Sequence, residues 1–441
     1  MQFSKKSSLL SALTVLSSLS TAVKADCQLS SDGNYYCAET DAVIYSNVGF
    51  SGSYLDVTSM DESSCVCTQG SSTSFSGSLS PLDEEVSIHF RGPLNLKQFG
   101  VYYPSSSSSS NLKKRDVDEP CEEVVSTKVQ HKHRRDVAVE YVEVTSTVWV
   151  DADGNQVTGT NAAATAATSY TKVSTIVNQG TTTTPATATT STGTSASSQS
   201  TSVSSVSSGD WVRGSYYTPG STTNCTFMNH MGGSAGSGVW SSCFGNSISY
   251  AAADGVSGAG SAYALDDITL KSGEEYMIFS GEECSGDDCG YYRENIPAYH
   301  GFSGKDKIFV FEFQMPSDTS GTAYNQDMPA IWLLNAKIPR TLQYGQADCS
   351  CWESGCGEMD LFEILSSGSD KLISHVHDGQ GGGSQDYFQR PVSSTLKAAV
   401  IFHGEDQTIH IVEVDDDFGS TLSASTVSGW LNQAGSAAAL P

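Results

Sequence analysis

The chain has 441 residues, enough for two or three domains, and its 23 basic and 49 acidic side chains leave a net charge of −26 at pH 7. A surface this acidic repels phosphate backbones and argues against nucleic acid as a partner. A pI near 4.5 instead suits a secreted protein or one held in an acidic wall.

Taken in order, the chain opens with Lys5 and Lys6, an apolar-rich run from Leu9 to Leu19, and Ala22-Val23-Lys24-Ala25. That is the layout of a signal peptide over residues 1–25, with small residues placed for signal peptidase, so the mature chain is expected to begin at Asp26. The apolar run is interrupted by serines and is shorter than the ~20 residues that span a bilayer. No other segment reads as a membrane span, and the tail WLNQAGSAAALP lacks the roughly 10–20-residue apolar stretch of a lipid-anchor signal. Secretion without a lipid anchor is the expectation.

Residues 26–104 are rich in Gly, Ser, Tyr and Asp, with short alternating stretches at Ala42 to Tyr45, Val86 to Phe90 and Phe99 to Tyr103. They read as a small glycine-rich β domain. Tyr54, Tyr102 and Tyr103 either contact a ligand or fill its core, and packing is the favoured reading. Residues 105–136 form a linker in which Lys113-Lys114-Arg115 and Arg134-Arg135 each precede an Asp. Basic clusters in exposed polar sequence suit a kexin-type processing protease, the alternative being solvated charge runs. Residues 137–156 hold a strongly alternating β segment, VAVEYVEVTSTVWV. Residues 157–209 are dominated by Thr, Ser and Ala, cannot bury enough apolar surface to fold, and read as a disordered, O-glycosylated spacer.

From residue 210 to 441 long helical periodicity is missing. Alternating runs recur at Ile268 to Leu270, Tyr276 to Phe279, Ile308 to Phe313, Glu358 to Leu365, Leu372 to Val376, Ala398 to Phe402 and Thr408 to Val414. This predicts an all-β sandwich or jelly roll. Asn224-Cys225-Thr226 is the one N-x-[ST] sequon and marks Asn224 as a glycosylation candidate on the surface.

The 12 cysteines all follow the expected cleavage site, as in a disulfide framework formed in the secretory pathway. Five of them (27, 37, 65, 67, 121) precede the Ser/Thr tract and seven (225, 243, 284, 289, 349, 351, 356) follow it. Both halves are odd. Full pairing therefore needs at least one bridge between them, with Cys121 the natural candidate, or else two thiols stay free. The Cys-x-Cys pairs lack the companions of a zinc site. The acidic run Glu282-Glu283 to Asp287-Asp288 offers oxygens to Ca²⁺, but a solvated, disulfide-closed loop is favoured. No cofactor or metal is expected.

The stretch that carries chemistry is CGEMDLFEIL, residues 356–365. On a strand, Glu358 and Asp360 point to one face while Met359 and Leu361 point to the other. Glu363 then falls on the wrong face unless one extra residue is inserted, so a β-bulge near Phe362 is predicted, returning Glu363 to the acidic face and Ile364 to the core. Clustered carboxylates resist ionising together, which costs free energy. Glycoside cleavage is a chemistry that uses such a cluster: one carboxylate attacks the anomeric carbon and a second donates to the leaving oxygen. A solvated acidic face is the plainer alternative.

Upstream, the alternating strand with Phe309, Phe311 and Phe313 leads through a polar loop into Pro329-Ala330-Ile331-Trp332-Leu333-Leu334. A phenylalanine-rich strand, then P-A-[IF]-W-L, then E-x-D-x-x-E is an order that resembles glycoside hydrolase family 16, the β-jelly-roll endoglucanases and transglycosylases. The resemblance implies Glu358 as nucleophile, Asp360 as its helper and Glu363 as acid/base. It also implies a position near the cleft for His377 of SHVHDG, residues 374–379. Asp327-Met328 stands where that family often has Trp, and a cysteine-rich loop precedes the nucleophile; both mark a divergent branch. The whole chain looks most like fungal cell-wall proteins with a glycine-rich N-terminal domain and an endo-β-1,3-glucanase-like C-terminal domain. That implies a β-glucan partner, hydrolysis or transfer with retention, and a place in wall organisation. Trp332, flanked by apolar Ile331 and Leu333, is expected to face the cleft, with Tyr291, Tyr292, Tyr299, Tyr344 and Trp352 as further stacking candidates. The alternative is a glucan-binding or structural wall mannoprotein without catalysis.

Overall fold

The computed structural model describes residues 27–29, 34–105, 209–438 and 440. The signal peptide, both basic clusters, Cys121, the 137–156 segment and the Ser/Thr tract up to residue 208 lie outside these. The described residues all fall in one structural unit, which joins the start of the chain to everything after residue 205.

Two large sheets carry the fold, and almost every strand pair is antiparallel. In the first, strands Cys225–Asn229, Glu275–Ser280, Val86–Arg91, Ala330–Asn335, Glu358–Glu363 and Lys371–His377 lie side by side in that order. In the second the order is Trp211–Thr218, Asn95–Pro104, Asp306–Gln314, Leu396–His403, Thr408–Glu413 and Ala42–Ser46, with Ser436–Ala438 added in parallel at the end. Alternation decides which side chains meet between the sheets. Ile88, Phe90, Ile278, Ile331 and Leu333 from the first sheet share one apolar cluster with Phe99, Val101, Phe309, Phe311 and Val400 from the second. Each such side chain contributes roughly 1.5–3 kcal/mol on burial. This is the predicted all-β sandwich.

The other face of the second sheet is covered by a helix, Ala424–Leu431. Ser423 caps it by accepting a hydrogen bond from the Thr426 amide. The helix buries Val427 and Trp430 in one cluster with Ile308, Val310, Ile401 and Val412. Among the described residues no helix is long and apolar enough to cross a membrane.

The N-terminal β region is not confined to a sheet of its own. Val86–Arg91 lies between Glu275–Ser280 and Ala330–Asn335, and Asn95–Pro104 lies between Trp211–Thr218 and Asp306–Gln314. Both large sheets are therefore completed by strands from the start of the chain. A polar hairpin, Gly52–Asp61 with Val66–Phe75, forms a two-stranded sheet of its own. It is tied down by Cys65–Cys243 and Cys67–Cys349, so two bridges join the halves, and neither uses Cys121. Cys27–Cys37, Cys284–Cys289 and Cys351–Cys356 close local loops, the second of them the expected acidic loop. Cys225 stays a thiol; burial pushes it up to about 12, so it is inert.

One expectation changes in detail. Ile268 to Leu270 forms no strand, since only Leu270 makes an isolated bridge, to Leu94. Tyr54 and Tyr102 are buried, which bears out the packing reading.

Glu413 gives the fold a pH dependence. It is half-buried, and burial first, then Asp41, Glu39 and Asp415, push its carboxyl from 4.5 up to about 7. The folded state thus takes up this proton at a higher pH than the unfolded chain, so stability falls as pH rises from 4.5 to about 7. Glu413→Gln is expected to flatten that fall and to raise stability above neutrality by about 1 kcal/mol, after allowing for solvent screening. Thermal unfolding of both proteins across this range checks it; parallel curves would contradict the assignment.

Candidate active site

The chain enters the acidic strand through Gly357, whose φ of +108° is one that an L side chain rarely adopts. The strand then runs Glu358–Glu363 with an irregularity in both of its ladders. Against one neighbour, Trp332 faces Asp360 but Ile331 faces Phe362, so Leu361 is the additional residue. Against the other, Asp360 faces His375 and Glu363 faces Ile373, so three steps on one strand meet two on the other. Met359, Leu361, Phe362 and Ile364 all enter the main core. Glu358, Asp360 and Glu363 are left together on the opposite face, as the predicted bulge requires.

The registers set these acids in rows across the sheet. One row reads Met277, His89, Trp332, Asp360, His375. The rows on either side pass through Ser87, Leu334, Glu358 and His377, and through Glu275, Arg91, Ala330, Glu363 and Ile373. Each acid has a distinct partner. Trp352 Nε1 donates to Glu358 Oε2. His377 Nε2 lies 3.1 Å from Asp360 Oδ2. Arg91 Nη2 donates to Glu363 Oε1 at 3.1 Å, while Arg91 Nε is held by the Met328 carbonyl at 2.8 Å.

Aromatic rings and imidazoles fill the rest of this face. His89 stacks on Trp332 with ring centroids 5.2 Å apart and lies 2.8 Å from Ser87 Oγ. Burial holds His89 well below the usual histidine value, so the ring is neutral. His375 and His377 stack at 4.8 Å. Farther along, burial pushes His230 down to about 4; it bonds Gln343, and its ring meets the edge of Tyr344. Tyr344 donates to Glu275 Oε2 at 2.9 Å.

All five residues expected in the site, Glu358, Asp360, Glu363, Trp332 and His377, share this face. They are more enclosed than an open cleft leads one to expect: Glu358 is 1%, Asp360 2%, Trp332 3% and Glu363 7% exposed. The reason is the cysteine-rich loop. Its Cys351 and Cys356 pack with Trp332, Leu334, Tyr54 and Phe75, and Trp352 lies against the same cluster. Tyr291 accepts a hydrogen bond from the Met60 amide, and Tyr299 pairs with Tyr250, so neither ring is committed to the acids. Asn224 is exposed, as its sequon requires, and sits apart on a turn with positive φ. Cys284, Asp288, Cys289 and His300 bring donor atoms within 4.8 Å of one another, but the two sulfurs are bonded to each other and are not thiolate ligands.

His89 and Arg91 were not among the expected residues. Their signal is present in VSIHFR, where Ser, His and Arg alternate with Val, Ile and Phe, placing polar groups on one face of an otherwise buried strand. What the sequence hides is that this strand pairs with Ala330–Asn335, far along the chain. Trp352 was a stacking candidate; its contact with Glu358 is the additional finding.

The family model described as "Cell wall protein YJL171C/Tos1, C-terminal" matches residues 209–430, and its N-terminal counterpart matches residues 41–104. The chain is 65% identical to a Saccharomyces cerevisiae protein named "Probable circularly permuted 1,3-beta-glucanase TOS1", over 99% of this chain and 100% of that one. It is 54% identical to the Candida albicans protein of the same name, over 97% and 98%. It is also 34% identical to an Arthroderma benhamiae protein named "Probable circularly permuted 1,3-beta-glucanase", over 95% and 96%. No solved structure matches. The chain belongs to the YJL171C/Tos1 family of cell wall proteins.

Proposed function

We propose that this protein is a secreted glycosidase of the fungal cell wall that cleaves or transfers β-1,3-glucan with retention. The observation that carries the reading is the bulged strand, which gathers Glu358, Asp360 and Glu363 on one face, each with its own polar partner. Binding alone does not require three carboxylates on a bulged strand. In this reading Glu358 attacks the anomeric carbon and Asp360, held by His377, keeps it in line. Glu363, ion-paired with Arg91 in the substrate-free protein, takes up a proton before donating it to the leaving oxygen and later removes one from the acceptor. Water as acceptor gives hydrolysis; a sugar hydroxyl gives transfer. The choice of β-1,3-glucan rests on the names of the relatives, and the kinship with glycoside hydrolase family 16 rests on the motif order. The permutation in those names fits a chain in which Val86–Arg91 and Asn95–Pro104, from its N-terminal part, lie in the interior of the two sheets. Secretion, removal of residues 1–25 and glycosylation at Asn224 belong to the same proposal.

One observation favours a second reading, a glucan-binding wall protein without turnover: the near-complete burial of the acids. Mass spectrometry of products from defined β-1,3-gluco-oligosaccharides separates the two. The native protein is expected to yield shorter products, or longer ones if it transfers, and Glu358→Gln to lower that turnover at least about 10³-fold, as loss of a covalent nucleophile does. Unchanged oligosaccharides with retained binding would bring the second reading forward.

The Arg91–Glu363 pair gives a separate prediction. Both side chains are 9% exposed, so removing Arg91 takes a neighbouring cation away from a buried carboxylate. Arg91→Met is expected to cost about 3–5 kcal/mol in urea unfolding, and adding Glu363→Gln to recover part of that loss. Strictly additive losses would mean that the two groups are not coupled.

A further inference from the structure

Ser374 is out of keeping with its neighbours. It lies in the strand Lys371–His377, and alternation turns it away from the acidic face and toward the core, alongside Leu372 and Val376. It is fully buried there. Its Oγ accepts a hydrogen bond from the Tyr45 phenol at 2.8 Å and donates one to the backbone carbonyl of Asp360 at 2.6 Å. Tyr45 is also fully buried, and it comes from Ala42–Ser46 in the opposite sheet. Burial raises its phenol above the ordinary tyrosine value, so it stays protonated and remains a donor.

The position of this chain of bonds gives it meaning. Asp360 is the last residue in register with the Ser374 strand before the ladder shifts, and regular pairing resumes only at Glu363. A bulge disturbs the ladder where the extra residue enters. At that point Ser374 adds a hydrogen bond to the Asp360 carbonyl, and Tyr45 fixes the direction of the serine hydroxyl. If packing were the only demand, an apolar pair would avoid the cost of desolvating two hydroxyls.

We propose that Tyr45 and Ser374 are positioning residues: through the Asp360 carbonyl they hold the bulge that brings Glu363 onto the same face as Glu358. Neither touches substrate. The kinetic consequence rests on the proposed glycosidase reading; the geometric consequence does not.

The test compares crystal structures and oligosaccharide kinetics of the native protein with those of Ser374→Ala, Tyr45→Phe and Val376→Ala. Val376→Ala removes apolar volume from the core side of the same strand and serves as the control. Ser374→Ala is expected to move Glu363 off Arg91 and to lower kcat about 30-fold with KM within about twofold, the signature of misplaced groups rather than lost binding. Tyr45→Phe is expected to cost about threefold in kcat in the same manner, and Val376→Ala to leave kcat within about twofold well below its Tm. If Ser374→Ala does not fold, Tyr45→Phe decides, since it removes a single oxygen. Native kcat and an undisplaced Glu363 in the variant that folds would overturn the proposal. A native protein without turnover would refute the glycosidase reading, and the position of Glu363 in the variant crystals would still decide this one.

Discussion

A strand presents its side chains with a period of two, and three carboxylates spaced two and then three residues apart cannot share a face of a regular strand. The sandwich resolves the conflict with one additional residue at Leu361, and much of the site follows from that. The bulge admits both Leu361 and Phe362 to the core without sending Glu363 after them. It also sets Glu363 across from Ala330, in the row where Arg91 can reach it. Without the insertion Glu363 faces the core, and a buried, unpaired carboxylate there is costly.

The second constraint is topological. Arg91 and His89 come from the beginning of the chain, and the acids from near its end. The two meet because Val86–Arg91 pairs with Ala330–Asn335 in the middle of the first sheet. Neither segment can complete the sandwich alone, since each sheet needs strands from both. Cys65–Cys243 and Cys67–Cys349 lock that arrangement covalently, and the second attaches the hairpin 52–75 to the loop that carries Trp352 over Glu358. Long-range closures of this kind limit the unfolded chain strongly.

The sequence was informative wherever a rule is local. Alternation points to the strands that form at 42–46, 86–91, 306–314, 396–403 and 408–413, and strand parity puts the bulge within one residue of Leu361. Trp332 faced as its flanking Ile331 and Leu333 required. The polar hairpin 52–75 is illegible because GSYLDVTSMD and VCTQGSSTSF carry little apolar alternation; mutual pairing, two bridges and the packing of Tyr54 and Phe75 against Trp332 and Leu334 hold it instead. The odd cysteine counts required a bridge between halves, but spacing could not say that the 65/67 pair would supply two. Most of all, which strand lies beside the acids is decided by pairing between distant segments, so His89, Arg91 and the Tyr45–Ser374 bond were beyond a local reading.

The proposed function depends most on Glu358 acting as the nucleophile of a retaining mechanism. The most direct test is to incubate the native protein with an activated 2-deoxy-2-fluoro β-1,3-glucosyl donor, which slows release of a glycosyl-enzyme intermediate, and to map the modified peptide by mass spectrometry. A glycosyl ester on Glu358 is the predicted result. An ester on another carboxylate, or turnover of natural oligosaccharide with inversion at the anomeric carbon, would contradict it.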